Sequence, residues 1–144
     1  MQRPTSITVF ALLFGFSTLV ALLLALYATR TSDFGFRIAP DAAQTLAARI
    51  MTIRLLGIAF ALSLMLLIFF GRSRAARGAL GLRWMLGLAT SIAFLRAAGM
   101  ITLPSESGAA AITLSIIQLS VEGLAILILY GEDAATWFDR RRVY

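Results

Sequence analysis

Four long apolar segments, separated by short polar connections, make up most of the chain and cover about residues 5–28, 50–70, 80–103 and 109–130. At about 1.5 Å per residue, each segment can cross a hydrocarbon core of roughly 30 Å as a helix. Backbone groups in lipid must be hydrogen-bonded within their own segment. The pattern therefore predicts an all-α polytopic membrane protein, a single domain of four transmembrane helices in an antiparallel bundle.

The first apolar segment lies where a secretory signal peptide would lie. Its apolar run of about 22 residues exceeds the apolar core of a signal peptide, which spans about 7–15 residues. The sequence Tyr27-Ala28-Thr29-Arg30 at its end is also a poor cleavage site. We therefore expect this segment to be retained as a transmembrane helix.

The residues before the second apolar segment predict that its helix begins earlier than the apolar run. Asp41 follows Pro40 and can accept hydrogen bonds from free backbone N–H groups of a first helical turn. Gln44 stands three residues after Asp41, as in a capping box. We expect this helix to begin near Asp41 and to project about two turns beyond the bilayer.

Arginine placement predicts the orientation of the four spans. The connection at residues 71–78 is strongly basic, and further arginines stand near both ends of the chain. By the positive-inside rule, both termini and this connection are cytoplasmic, although the first connection also carries arginines at 30, 37 and 49. We expect lipid-headgroup contacts from the arginines at the cytoplasmic side, namely Arg72, Arg74, Arg77, Arg140, Arg141 and Arg142.

Residues 131–144 form the predicted cytoplasmic tail. Trp137 and Phe138 precede the final arginines, a pattern typical of aromatic side chains at headgroup depth. We expect a short interfacial tail that anchors the chain to the membrane surface, with partner docking as the alternative. The location that follows is a multi-pass protein of a bacterial inner membrane.

The composition excludes several classes of function. The chain is 60% hydrophobic and 14% charged, whereas soluble proteins average about 45–50% and 25%. All basic residues are arginine and most of them flank apolar spans, so the net charge of +6 indicates lipid contact rather than nucleic-acid binding. No cysteine or histidine is present, which removes thiolate catalysis and the usual metal and haem ligands. We expect no enzyme activity, no cofactor and no metal site.

Charged and amide side chains inside the spans are the candidate functional residues, namely Arg54, Arg96, Gln118 and Glu122. Such residues usually face the bundle interior and pair with one another. Gln118 and Glu122 share one helix face with Ser115, and an outer-half position is expected for all four residues of the cluster. One interpretation is a structural Arg96–Glu122 pair. The alternatives are a polar site for an anionic or polar ligand and a proton-coupled carrier that uses Glu122. Arg54 is alternatively a snorkelling interfacial residue.

Three stretches of the sequence resemble a known family. Arg54-Leu55-Leu56-Gly57 opens one helix, Arg96 leads into a loop at Pro104, and Leu119-Ser120-Val121-Glu122 lies in the last span. This order resembles small four-helix bacterial inner-membrane proteins of a domain-of-unknown-function family that is distantly DoxX-like. The resemblance covers about residues 40–130 and implies a four-helix membrane fold. Some DoxX-like proteins are subunits of quinone-linked oxidoreductase complexes, so the resemblance also implies an accessory role.

Two functions follow as expectations. The first is a non-catalytic accessory or structural subunit of a larger bacterial inner-membrane complex, with membrane lipids and other membrane subunits as partners. The alternative is a small-molecule, quinone or lipid binding protein or carrier that uses the polar cluster. Short loops and the lack of a nucleophile–base arrangement favour the first.

Overall fold

The computed structural model describes residues 3–31, 40–99 and 106–139, and every regular element in these ranges is an α-helix. In chain order they are α1 (Thr5–Thr31), α2 (Pro40–Phe69), α3 (Arg74–Gly99), α4 (Glu106–Ile128) and α5 (Glu132–Asp139). The predicted all-α class is therefore confirmed. The second helix begins next to the expected start at Asp41.

The four long helices contact one another in cyclic order. α1 packs most extensively against α4 and next against α2, while α3 contacts both α2 and α4. The Ser6 backbone N–H donates to the Asp133 carboxylate in α5, and Gln118 in α4 bonds to Ser17. The residue numbers rise along α1 as they fall along α4, so these two helices run antiparallel.

The main apolar core lies along one face of α1. Ile7, Phe10, Phe14 and Ser17 recur every three or four residues and are almost completely buried. They belong to the same packed region as buried residues of the other helices, among them Ile68, Leu80, Ala125 and Leu129. Because apolar side chains also cover the outside of α1, the hydrophobic periodicity of this helix is weak in the sequence. Its buried face is identified only by the packing of α1 against the other helices.

The turn between α2 and α3 is fixed by hydrogen bonds at both helix ends. The Ser73 N–H bonds back to the Leu67 carbonyl, and Arg72 adopts the left-handed backbone conformation with φ of 51°. This hydrogen bond satisfies a free carbonyl at the end of α2 and reverses the chain toward α3. The Ser73 hydroxyl then accepts a hydrogen bond from the Ala76 N–H and caps the start of α3.

Large apolar side chains cover the outside of all four long helices, including Leu12, Phe16, Ile53, Phe60, Met85, Ile92, Ile117 and Leu127. Two helical stretches, Thr5–Tyr27 and Met51–Phe69, are long and apolar enough to cross a membrane. Ile112–Ile128 and Glu132–Asp139 meet at a bend of 62° and would add a third span if they act as one. These findings for the described residues support a membrane location.

The tail contains a helix that packs against the body of the protein. α5 buries Ala134, Trp137 and Phe138, and both aromatic residues are only 4% exposed. The Trp137 indole N–H donates to the Ile68 carbonyl at the end of α2 at 3.2 Å. The apolar side of the amphipathic helix α5 thus fits the end of the helix assembly, and the position of these two rings at headgroup depth stays a prediction.

Candidate functional site

Glu122 is the most deeply buried charged residue in the described part of the chain, with 5% of its surface exposed. Its Oε1 accepts a hydrogen bond from Nη1 of Arg83 in α3 at 2.5 Å. Its Oε2 accepts a second one from the Gln118 side-chain amide at 2.8 Å. Since a buried carboxylate is costly unless it is paired and hydrogen-bonded, both oxygens have the partners that burial requires.

Gln118 links this ion pair to α1. Its amide nitrogen also donates to the Ser17 hydroxyl at 2.9 Å, and that hydroxyl donates to the Gln118 backbone carbonyl at 3.2 Å. Ser17 is 1% exposed, in the middle of the otherwise apolar face of α1. One continuous polar network, Arg83–Glu122–Gln118–Ser17, therefore connects α3, α4 and α1.

Trp84 holds α3 and α4 together beside the network. Its indole N–H donates to the Leu119 carbonyl at 3.0 Å. Its ring lies against the backbone of Gly123, where a Cβ atom would come within 2.6 Å of a ring carbon. Glycine at this position thus permits the close contact between the two helices.

A cavity of about 400 Å³ opens next to the polar network. All four long helices contribute to its lining, and the residues are Ala21, Leu24, Ile53, Arg54, Gly57, Ile58, Arg83, Trp84, Gly87, Thr90, Ser115, Gln118, Leu119 and Glu122. It extends along α3 from Arg83 to Thr90, about 10 Å on the helix axis. The mixture of apolar walls with a few polar and charged groups is typical of small-molecule sites.

Arg54 carries the second positive charge in this lining. Within the described ranges, no hydrogen bond or ion pair involves its guanidinium. The positive charge of Arg83 is matched by Glu122, whereas that of Arg54 is not. The described lining therefore has an excess of one positive charge.

Three of the four residues expected in the polar cluster, Arg54, Gln118 and Glu122, line this one cavity. The side chain of Arg96 lies outside the described part of the structure. Its backbone is in α3, thirteen residues after Arg83 and hence about 20 Å farther along the axis. The partner of Glu122 in the structure is Arg83, and the expected Arg96–Glu122 pair needs this correction.

Glu122 lies nearer to one end of α4 than to the other. It is about 9 Å from the end of the helix at Ile128 and about 24 Å from its start at Glu106. It is therefore closer to the end of the assembly that carries the basic α2–α3 turn. The depth of Glu122 in a membrane stays a prediction.

Arg83, Trp84 and Ser17 are the site residues that sequence reasoning missed. In the sequence, Arg83 follows the basic connection at residues 71–78 closely and is therefore easily grouped with it. The sequence contains a signal that identifies Arg83 as the partner of Glu122, namely its distance in residues from the α3–α4 connection. In antiparallel neighbours, positions equally far from the connection lie level, and this places Arg83 beside Glu122.

The arginines near the α2–α3 turn make contacts within the protein. Arg72 stacks over the Trp137 ring at 4.2 Å, and Arg74 forms an ion pair with Asp139. Arg77 lies over the Tyr130 ring and donates to the Leu129 carbonyl at 3.3 Å. Their contact with lipid headgroups stays a prediction, and Arg140, Arg141 and Arg142 lie outside the described residues.

Comparisons with protein-family models, with curated proteins and with solved structures find no match to this chain. The resemblance to DoxX-like proteins therefore stays a prediction. Within the described ranges, no three acidic side chains are grouped in a way that could hold a metal ion. The function must be argued from the cavity and its polar network.

Proposed function

We propose that the chain is a polytopic protein of a bacterial inner membrane, with four transmembrane helices in an antiparallel bundle and both termini cytoplasmic. The apolar outer surfaces of α1–α4 and the antiparallel packing of α1 on α4 support this arrangement. The basic α2–α3 turn supports the orientation, since cytoplasmic connections are enriched in arginine.

Within that bundle, we propose that the cavity binds a small molecule and that the protein is non-catalytic. The observation that carries the proposal is a cavity of about 400 Å³ to which all four long helices contribute and which Arg54, Arg83 and Glu122 line. Charged residues inside membrane helices are costly and mark binding sites or ion pathways. A bundle that required only packing would gain from filling this space with apolar side chains.

A variant that fills the cavity tests this function. Gly57 lines the cavity, and a Cβ atom there meets nothing within 4 Å, so Leu at this position extends into open space. Wild-type protein and G57L are purified from native membranes in mild detergent, and retained small molecules are identified by mass spectrometry. A molecule that is stoichiometric with the wild type and absent from G57L is the expected result.

Gly78 provides the matched control. It lies on an exposed position of α3, also has open space around a Cβ atom, and is absent from the cavity lining. G78L should retain the molecule as the wild type does. Equal retention by G57L and the wild type, with both proteins monodisperse, would refute binding in the cavity.

The second proposal is a non-catalytic accessory subunit of a larger inner-membrane complex. Its supporting observation is that large apolar side chains are exposed on every long helix, so that neighbouring membrane helices have ample surface to contact. Membrane lipid can cover the same apolar surfaces, so their exposure does not distinguish a protein partner from lipid. The accessory role is therefore the second proposal. The DoxX-like resemblance favours the same role.

Co-purification separates the two proposals. The tagged chain is isolated from native membranes in mild detergent, and proteins recovered at stoichiometric level are identified by mass spectrometry. A defined set of membrane subunits would support the accessory role. A monomer or a homo-oligomer that carries a small molecule would support the ligand-binding function alone.

A further inference from the structure

We propose that the ligand of the cavity is an organic monoanion, a carboxylate or phosphate diester on an apolar body, and that Arg54 binds its charged group. This inference rests on the proposed ligand-binding function and gives the chemical class of the ligand. It follows from the charge, hydrogen bonding and composition of the lining.

Arg54 is exposed in the structure and so is accessible to a ligand, and the charge balance of the lining favours an anion. Arg83 and Glu122 neutralise each other at 2.5 Å, and Gln118 occupies the second oxygen of the carboxylate. No described residue supplies a counter-charge or an acceptor to Arg54. An arginine within a membrane helix is unfavourable when its charge lacks compensation. A bound anionic group supplies that compensation.

The guanidinium group also favours the proposed chemistry. Its planar donors match the two oxygens of a carboxylate or phosphate, and such charge-assisted bonds are stronger than neutral ones. Because only one positive charge is left unmatched, the lining favours a single negative charge on the ligand. A dianion would leave one charge uncompensated in an apolar surrounding, which is unfavourable.

The remaining walls of the cavity determine the body of the ligand. Leu24, Ile58, Leu119 and the ring of Trp84 provide apolar contact surface. A simple inorganic anion would leave these walls without contact and would retain its affinity for water. An aromatic or short aliphatic body attached to the anionic group therefore fits the lining better.

Trp84 makes the proposal measurable by fluorescence. The chain has two tryptophans, and Trp137 lies in α5 outside the cavity lining. In a W137F background, Trp84 is the only tryptophan and reports contact with a heavy-atom quencher. The probes are 4-iodobenzoate and the uncharged 4-iodobenzamide, which have nearly the same size and differ in charge. We expect saturable quenching by the benzoate and at least about tenfold weaker binding of the amide.

Arg54→Gln should weaken 4-iodobenzoate binding by about tenfold or more and leave the amide unchanged. The matched control is Arg49→Gln, because Arg49 lies on the same helix and is exposed, but is absent from the cavity lining. Equal binding of both probes to the wild type, or equal effects of R54Q and R49Q, would overturn the proposal. If W137F is not monodisperse, ligand-induced thermal shifts of the chain with both tryptophans provide the same comparison.

Two further arms separate the proposals and the ligand sources. One outcome is that both probes bind equally to the wild type and that G57L abolishes the binding of both. The cavity then binds ligands without selecting for charge, so the anion proposal fails and the proposed ligand-binding function stands. If neither probe quenches Trp84, the anion proposal fails, and retention by G57L still tests the function separately. Competition by phosphatidylglycerol in nanodiscs would assign the anion to a lipid headgroup, whereas no competition would assign it to a free organic acid.

Discussion

The indole ring of Trp84 lies against the backbone of Gly123, with only 2.6 Å between a ring carbon and the position of a Cβ atom on the glycine. Any side chain at this position must displace the ring, which also donates a hydrogen bond to Leu119. We expect Gly123→Ala to lower the free energy of unfolding by about 1–3 kcal/mol because it overpacks the α3–α4 contact. Thermal denaturation in detergent measures the loss.

Gly78→Ala is the control for this prediction. A Cβ atom at Gly78 meets nothing within 4 Å, and alanine is favoured over glycine in helices by about 1 kcal/mol. G78A should therefore be as stable as the wild type or more stable. In a W84L background, the penalty of G123A should shrink, and an unchanged penalty would show that the Trp84 ring is not its cause.

The Arg83–Glu122 pair should show strong coupling in a double-mutant cycle. Replacing one partner with Met leaves the other charged in a largely apolar surrounding, which costs about 3 kcal/mol or more. The double variant R83M/E122M should lose much less than the sum of the single changes. Thermal unfolding of all four proteins in one detergent gives the coupling energy.

Arg49 and Arg54 provide the comparison for this cycle. Neither forms an ion pair with Glu122 in the structure. The losses of unfolding free energy caused by R49M and E122M should therefore add in the double variant. If R83M/E122M loses as much unfolding free energy as the two single variants together, the two side chains are not coupled and the ion pair is contradicted. The side chain of Arg83 is 28% exposed and that of Glu122 only 6%, so E122M, which leaves the more exposed charge without its partner, should be the milder of the two single changes.

α5 should contribute to stability as part of the packed body. Trp137→Ala removes a ring that is 4% exposed, that donates to the Ile68 carbonyl, and that stacks under Arg72. We expect a loss of about 3–5 kcal/mol in unfolding free energy, measured by thermal denaturation. Phe16→Ala, at a position 55% exposed on α1, should change it by about 0.5 kcal/mol. Equal effects would contradict the docking of α5.

The proposed orientation predicts which positions a membrane-impermeant maleimide labels in intact cells. The chain has no cysteine, so single-cysteine variants need no further changes. A75C, beside the α2–α3 turn, should be labelled only after the membrane is permeabilised. S107C, in the first turn of α4, should be labelled in intact cells. The reverse pattern would place both termini outside.

Apolar segment lengths and cap residues predicted the local structure well. Each expected span overlaps a long helix, although among the described residues only Thr5–Tyr27 and Met51–Phe69 are by themselves long and apolar enough to cross a membrane. α2 begins within one residue of Asp41, because helix starts depend on residues close together in the sequence. The partner of Glu122 in the structure differs from the expected Arg96. Several arginines are available to one carboxylate, and only the register between α3 and α4 selects Arg83.

The sequence by itself determined that the chain is helical, apolar on its outside and without the side chains of common metal or thiol chemistry, since composition and hydrophobic run length decide these properties. It also indicated Arg54, Gln118 and Glu122 as polar residues that require an explanation. Only the tertiary structure brought these residues around one cavity, connected Ser17 to the network, and packed α5 against the helix ends. Such contacts depend on helix rotation and register, which nearly uniform apolar surfaces leave unspecified.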